Sequence, residues 1–496
     1  MPKDSRQRTN DGALSFTRRA WLQRAGSVAA ISALPFRSAL AAQSASDVMI
    51  KLSSYMNAAA GRSIPDEVSE KAKQHILDTF AAMISGAGLP PGRAAMRFVE
   101  SYAGGKTATI VASPVLCGAI EAALVNGMLA HSDETDDSHA FSRTHPGCAI
   151  VPAAFAAAEQ FAVDGTRLVR AVTLGYDVGC RLTMTLGGVD FQNKEHKSTY
   201  SFAGTFGAAA AAGCAANLTV QQMRWLLDYS SQQASGIAAW QRDTEHIEKA
   251  FVYGGMPARN GVTAALVVNS GWTGLDDILS GSDNFFEAYG PKADPAGLVE
   301  SLGERYEIAR TNIKKWTVGS PIQGALDAME VLLKRRTFAV ADVREVTVRL
   351  ANTEATIVNN REMPDVNLQH MIAVMMIDKN VTFRSVHDKP RMNDTAVLAA
   401  RQKVKLIPDE QLESKLPRRV AIVEISFNDG TKISERIDAV RGTPENPMSR
   451  DEIVAKSRDL ISPVLGSETA AKLIEKFLAL EKVKDVRELR PLLQRS

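Results

Sequence analysis

The chain has 496 residues, 45% apolar and 23% charged, enough apolar material for two or three packed domains, which excludes a disordered chain. Its 58 basic against 56 acidic residues leave a formal charge of +2, so there is no global field to hold a nucleic acid. Aromatics make up only 6% while Ala is abundant, which favours closely packed helices over aromatic-rich sandwiches or barrels.

In chain order, the first segment reads as an address. Thr17-Arg18-Arg19-Ala20-Trp21-Leu22-Gln23 precedes an apolar run from Ala25 to Phe36 and then Ala39-Leu40-Ala41. The run is too short to span a bilayer but fits a signal followed by a small-residue cleavage site, and the whole resembles a twin-arginine export signal over residues 1–42. The expected location is the periplasm, with the cytoplasm as the alternative if the arginine pair is incidental. No later stretch reaches the length of a membrane span, so the mature chain is expected to be free of the membrane.

From Ile64 to Gly86, Pro65 and two acids stand at a helix start, while Val68, Ala72, Ile76, Phe80 and Met83 recur at helical spacing. Similar Ala-rich patterns predict helices over 118–131, 149–161, 166–182, 205–216 and 220–235, and everything to about 290 reads as helix and connection. The period changes after 340. Val346, Val348 and Leu350 alternate with polar residues, and Val420–Phe427 leads through Asn428-Asp429-Gly430 into Thr431–Ile437 as a hairpin. Helical spacing returns at 451–465 and 468–480. Four widely spaced cysteines match no thiolate metal pattern and read as small apolar residues inside helices.

The densest polar constellation is Ala130-His131-Ser132-Asp133-Glu134-Thr135-Asp136-Asp137-Ser138-His139, followed by Arg143-Thr144-His145-Pro146. Carboxylates and histidines crowded between apolar helices acquire shifted pKa values, which suits proton transfer. A solvated acidic loop and a site for a hard or borderline cation are the other readings of the same residues.

At this cluster the chain resembles the MmgE/PrpD family. The residues that carry the resemblance are Asn126-Gly127, Ala130-His131, Asp136-Asp137-Ser138-His139 and His145-Pro146, with Ile76-Leu77-Asp78-Thr79, Gly204-Thr205-Phe206-Gly207-Ala208, and Lys249 before Gly255-Met256-Pro257-Ala258-Arg259-Asn260-Gly261. Together they span roughly residues 47–485. The resemblance implies a mainly α fold. A large helical domain over 47–309 would carry a smaller α+β lid over 310–444, and the helices of 445–496 would return to the helical domain. It also implies an active site between the two, a homodimer, a small carboxylate as substrate, and neither metal nor cofactor.

The family chemistry is removal of a proton beside a carboxylate, with loss of water or carbon dioxide or with return of the proton to the other face. That needs a positioned base and cations for the carboxylates. The resemblance assigns His145, Asp136, Asp137 and His139 to the catalytic group. Glu134, Lys249, Lys315, Ser201 and His370 would bind substrate, with Lys314 as the alternative to Lys315. The pattern departs from many members at Glu134 and Thr135, where they have Asp and an aromatic, and at Ser201, where they have a histidine that nearby His196 is a candidate to replace. These departures put tricarboxylate substrates in question while leaving the reaction class intact: a lyase, with an epimerase or isomerase, or a non-catalytic carboxylate-binding protein, as alternatives.

Overall fold

The computed structural model describes residues 45–495, so the expected export signal at 1–42 lies outside the described residues. The helical body is built chiefly from α1 (Asp66–Gly86), α2 (Ala119–Ala130), α3 (Gly147–Phe161), α4 (Gly165–Thr185), α5 (Thr199–Ala215) and α6 (Met256–Asn269). Helix α5 is buried along its length except at Tyr200, as its apolar and small residues on every face require. It packs against α3, α4 and α6. Close crossing depends on glycine. A Cβ at Gly175 of α4 would lie 2.8 Å from the Gly207 carbonyl of α5, and one at Gly207 would lie 2.7 Å from the Gly175 carbonyl.

The lid has its own core, in which Val346, Val348, Val423 and Ile425 meet Leu326, Met329 and Ile372. Its sheet comprises β1 (Val343–Ala351), β2 (Val404–Asp409), β3 (Ala421–Phe427) and β4 (Lys432–Ile437), in the order β2-β1-β3-β4. The β1–β2 pair is parallel and the other two are antiparallel. Helices α7 (Gln323–Arg335) and α8 (Leu368–Asp378) join this core. The hairpin turns at Gly430, whose φ of 85° suits a residue without Cβ. Strand β2 escapes the sequence pattern because it is an edge strand that contains Pro408.

Helices α9 (Arg450–Leu465) and α10 (Ser467–Leu478) pack on α1, and their Leu460, Ile461, Leu473 and Phe477 belong to the core of the helical body. Lys456 of α9 pairs with buried Asp78 at 2.7 Å and donates to the Thr135 carbonyl at 3.1 Å, tying α9 to both α1 and the acidic segment. A two-residue ribbon, 108–109 against 116–117, interrupts the otherwise helical first half. Asn126 holds it, accepting from Val111 N at 3.0 Å and donating to the Thr109 carbonyl at 2.8 Å. The four cysteines are free and buried. No helix among the described residues is long and apolar enough to cross a membrane.

Candidate active site

The acidic segment is not a solvated loop. Residues 130–139 are all buried, and each of the four carboxylates has its own counter-groups. Asp133 lies 3.0 Å from His387 of the lid and accepts from the Thr135 hydroxyl at 2.6 Å. Glu134 pairs through one oxygen with Lys249, with His246 at 3.2 Å, and through the other with Lys314 at 3.4 Å. Asp136 bridges two histidines, His131 Nδ1 at 2.9 Å and His145 Nδ1 at 3.0 Å, with Lys314 Nζ at 3.7 Å. Asp137 receives His75 Nδ1 at 2.8 Å, the Tyr176 hydroxyl at 2.5 Å and Gly147 N at 2.9 Å.

These partners set the protonation states. Burial alone would raise both carboxyls, but Lys249, Lys314 and His246 hold Glu134, and His131, His145 and Lys314 hold Asp136, well below the usual carboxylate range. Burial lowers His131 to about 4 against the pull of Asp136, so its imidazole is neutral at pH 7. Lys249 is buried, yet Glu134 keeps its ammonium form favoured and its pKa above the ordinary lysine value.

The local backbone explains how His145 comes to face the cleft. Ser138 exchanges backbone hydrogen bonds with Asn312, and His139 with Thr144, forming a short hairpin that delivers His145 to the start of α3. Asp137 accepts the first free amide of that helix, a favourable place for a carboxylate. Lys249 stands on the short helical turn Ile247–Ala250 and Tyr253 on the π-turn of Phe251–Gly255 that follows it, which widens the helix just before α6. This turn sits against α2 because a Cβ at Gly127 would lie 2.5 Å from the Gly254 carbonyl.

A cleft of about 360 Å³ opens between body and lid. His145, Glu134, Lys249, Tyr200, Trp240 and Tyr253 line it from the body, and Ser320, Ile357, Arg361 and Met363 from the lid. His145 is 9% exposed there; its Nδ1 is engaged by Asp136, and its other ring nitrogen makes no hydrogen bond among the described residues. Tyr200 and Tyr253 stack with centroids 3.7 Å apart, and Trp240 meets both edge-on.

Of the residues expected from sequence, His145, Glu134 and Lys249 line the cleft and Asp136 stands directly behind His145. The others are placed elsewhere. Asp137 and His139 are buried behind the hairpin; His139 bonds Ser142 at 2.7 Å and lies 3.3 Å from Glu307, whose carboxyl is held at about 2 by His139 and by Arg305 and Arg310 although burial opposes this. Lys315 is a correction: it turns away to pair with Glu330 at 2.8 Å and lies over the Trp316 ring, while its neighbour Lys314 points to Glu134 and Asp136. Ser201 is a second, since its hydroxyl is fully buried and donates back to the Ser198 carbonyl at 3.2 Å. His370 is a third, being buried in the lid with neither ring nitrogen partnered among the described residues. His196, the candidate to replace the family histidine, is exposed and is not among the residues that line the cleft.

Sequence reasoning missed His246 and the aromatic wall, and gave Arg143, quoted beside His145, no role of its own. His246 stands three residues before Lys249 in a left-handed backbone with φ 65°, a spacing that carries no motif. Ligand atoms of His131, Glu134 and His246 lie within 4.8 Å of one another, as a metal site would require. Lys249 Nζ, however, lies 3.3 Å from His246 Nε2 and pairs with Glu134, so an ammonium already occupies the cation's place.

A helical body, an α+β lid and a histidine- and lysine-lined cleft between them define a two-domain architecture. Residues 50–297 match the MmgE/PrpD N-terminal domain and residues 316–482 the MmgE/PrpD C-terminal domain. The chain belongs to the MmgE/PrpD family. It is 24% identical over 457 residues to the cis-aconitate decarboxylase-like protein oryM of Aspergillus oryzae, covering 86% of this chain and 93% of that one. It is 24% identical over 470 residues to a cis-aconitate decarboxylase of Aspergillus terreus, covering 87% and 92%. With the Homo sapiens cis-aconitate decarboxylase the figure is 26% over 456 residues, covering 87% and 91%.

Proposed function

We propose that this protein is a lyase that acts on a carboxylic acid, with His145 moving the proton on the carbon beside the carboxylate. One observation carries the reading: His145 faces the cleft while Asp136 holds its Nδ1 at 3.0 Å from behind. That bond keeps the proton on Nδ1, so the opposite nitrogen is a free base. In a dehydration this nitrogen takes the proton, the C–H pair becomes the double bond, and the hydroxyl leaves as water after gaining a proton. In a decarboxylation the C–C electron pair stays on carbon as carbon dioxide departs, and His145 must enter with this nitrogen protonated as well, giving that proton to carbon and recovering it from solvent. Lys249, buried and charged beside Glu134, stabilises the negative charge that develops on the substrate carboxylate.

The family and its decarboxylase relatives support the lyase class. A homodimer exported to the periplasm belongs to the same proposal and rests on the family resemblance and the arginine-led N-terminal sequence. The test is product analysis: purified protein with a panel of hydroxy- and unsaturated carboxylates, followed by NMR and carbon dioxide release. An alkene with water, or carbon dioxide, is expected. Formation of a stereoisomer alone would replace the lyase with an epimerase.

A further inference from the structure

We infer that the cleft selects a carboxylate with an apolar or planar carbon group, at most a dicarboxylate: Arg143 and Arg361 receive the carboxylate end, and Trp240, Tyr200 and Tyr253 receive the carbon body. This rests on the proposed reading of the same cleft as a carboxylate lyase.

Charge at the cleft wall supports the first half. Lys249, set beside the reacting carboxylate in the proposed mechanism, is already neutralised by Glu134 and adds no net positive charge, and Arg419 is neutralised by Glu354. Lys314 is spent on Glu134 and Asp136 and does not line the cleft. Asp243 adds a further carboxylate to the wall, accepting from Lys249 N at 3.0 Å. Among the described residues that line the cleft, the two guanidiniums with no carboxylate within ion-pair distance are Arg143 on the body, with Glu354 further off, and Arg361 on the lid, the latter donating to the Gln241 carbonyl at 3.1 Å. Two cations of this kind match one or two carboxylates, and a third would stand near Glu134 or Asp243.

Arg143 occupies a backbone position with φ 57°, where Gly or Asn would be less strained, and its side chain reaches the cleft. The aromatic wall supports the second half. Tyr200 and Tyr253 are stacked within 13° of parallel, Trp240 closes on Tyr200 at 5.3 Å, and His145 lies 5.4 Å from Tyr200. Across the cleft the lid offers Ile357 and Met363. A fully carboxylated carbon skeleton would lay charged groups against these surfaces, whereas an alkyl or aryl group gains by leaving water there.

The test measures binding of three non-reacting probes, benzylsuccinate, succinate and tricarballylate, to the full chain by calorimetry, with turnover scored separately. Benzylsuccinate should bind about tenfold more tightly than either of the others. Trp240→Leu should collapse that ratio and Trp240→Phe restore most of it. Arg143→Asn, which suits the left-handed backbone, should weaken all three probes by about tenfold. Preference for tricarballylate, equal weakening of all probes by Trp240→Leu, or binding of none overturns the inference. If benzylsuccinate is preferred but no carboxylate is turned over, the specificity stands and the lyase reading falls. If a tricarboxylate is both preferred and turned over, the lyase reading stands and the specificity falls.

Discussion

Asp136 Oδ1 lies 3.0 Å from Nδ1 of His145, and that bond decides which imidazole nitrogen is presented to the cleft. Because Asp136 is held ionised by His131, His145 and Lys314 against its burial, it accepts the Nδ1 proton and leaves the other nitrogen basic. His145→Gln should therefore lower kcat by about 10² to 10⁴ with little change in melting temperature, since the ring sits at the cleft surface. A parallel loss of stability and activity in calorimetry and kinetics would make the residue structural. Asp136→Asn should also lower kcat and alter its pH profile, because an amide can turn its NH₂ to Nδ1 and favour the wrong tautomer.

The Lys249–Glu134 pair separates charge balance from chemistry. Lys249→Met leaves a buried carboxylate short of a cation and should cost about 3 kcal/mol of stability as well as activity. Adding Glu134→Gln should recover most of the stability, measured by denaturant unfolding, without recovering turnover. Recovery of both would mean that Lys249 acts only by neutralising Glu134.

Adjacent lysines give a sharper contrast. Lys315→Ala should change stability by less than about 1 kcal/mol and leave kcat near wild type, because it removes a partly exposed pair with Glu330 that lies away from the cleft. Lys314→Ala should damage both, since Lys314 donates to the Glu134 carbonyl at 2.8 Å and faces two buried carboxylates. Steady-state kinetics on the two variants decide between them, and equal effects would contradict this placement.

Acid stability carries a signature from His370. Burial, with Arg401 and Arg391 nearby, lowers it to about 4, so between that value and its unfolded value near 6.5 the unfolded chain binds a proton that the native one does not. Stability is thus lost as pH falls through this window and is unaffected above it. Asp177, raised by burial to about 6, works in the opposite direction, so the readout is the difference between variants. His370→Leu should flatten the acid limb of a stability–pH curve by about 3 kcal/mol relative to wild type. An unchanged slope would mean that His370 titrates normally.

Helix periodicity made the body and the strand hairpin legible, because α1, α3, α4 and the β3–β4 turn are each specified by local spacing and by caps or turn residues. Edge strand β2 was hidden by Pro408, and the ribbon held by Asn126 is too short to have a period. Within the site, the segment that holds His145 and Glu134 stood out because it is dense in charge, and the family resemblance singled out the two residues within it. Choosing Lys314 over Lys315 required the fold, since neighbouring residues in an irregular segment point to different sides and only one meets Glu134. His246 and Trp240 come from segments separate from the acidic cluster, so no spacing in the sequence announces them, and Arg143, two residues before His145, carried no motif of its own.

Proton exchange tests the central claim most directly. The wild-type protein and His145→Gln would be incubated in heavy water with a carboxylate that the wild type turns over, and NMR would follow deuterium at the carbon beside the carboxylate. Deuterium entering with the wild type, and falling by about 10² or more with His145→Gln while substrate still binds, is the predicted result. Undiminished exchange in the variant would contradict His145 as the group that moves the proton.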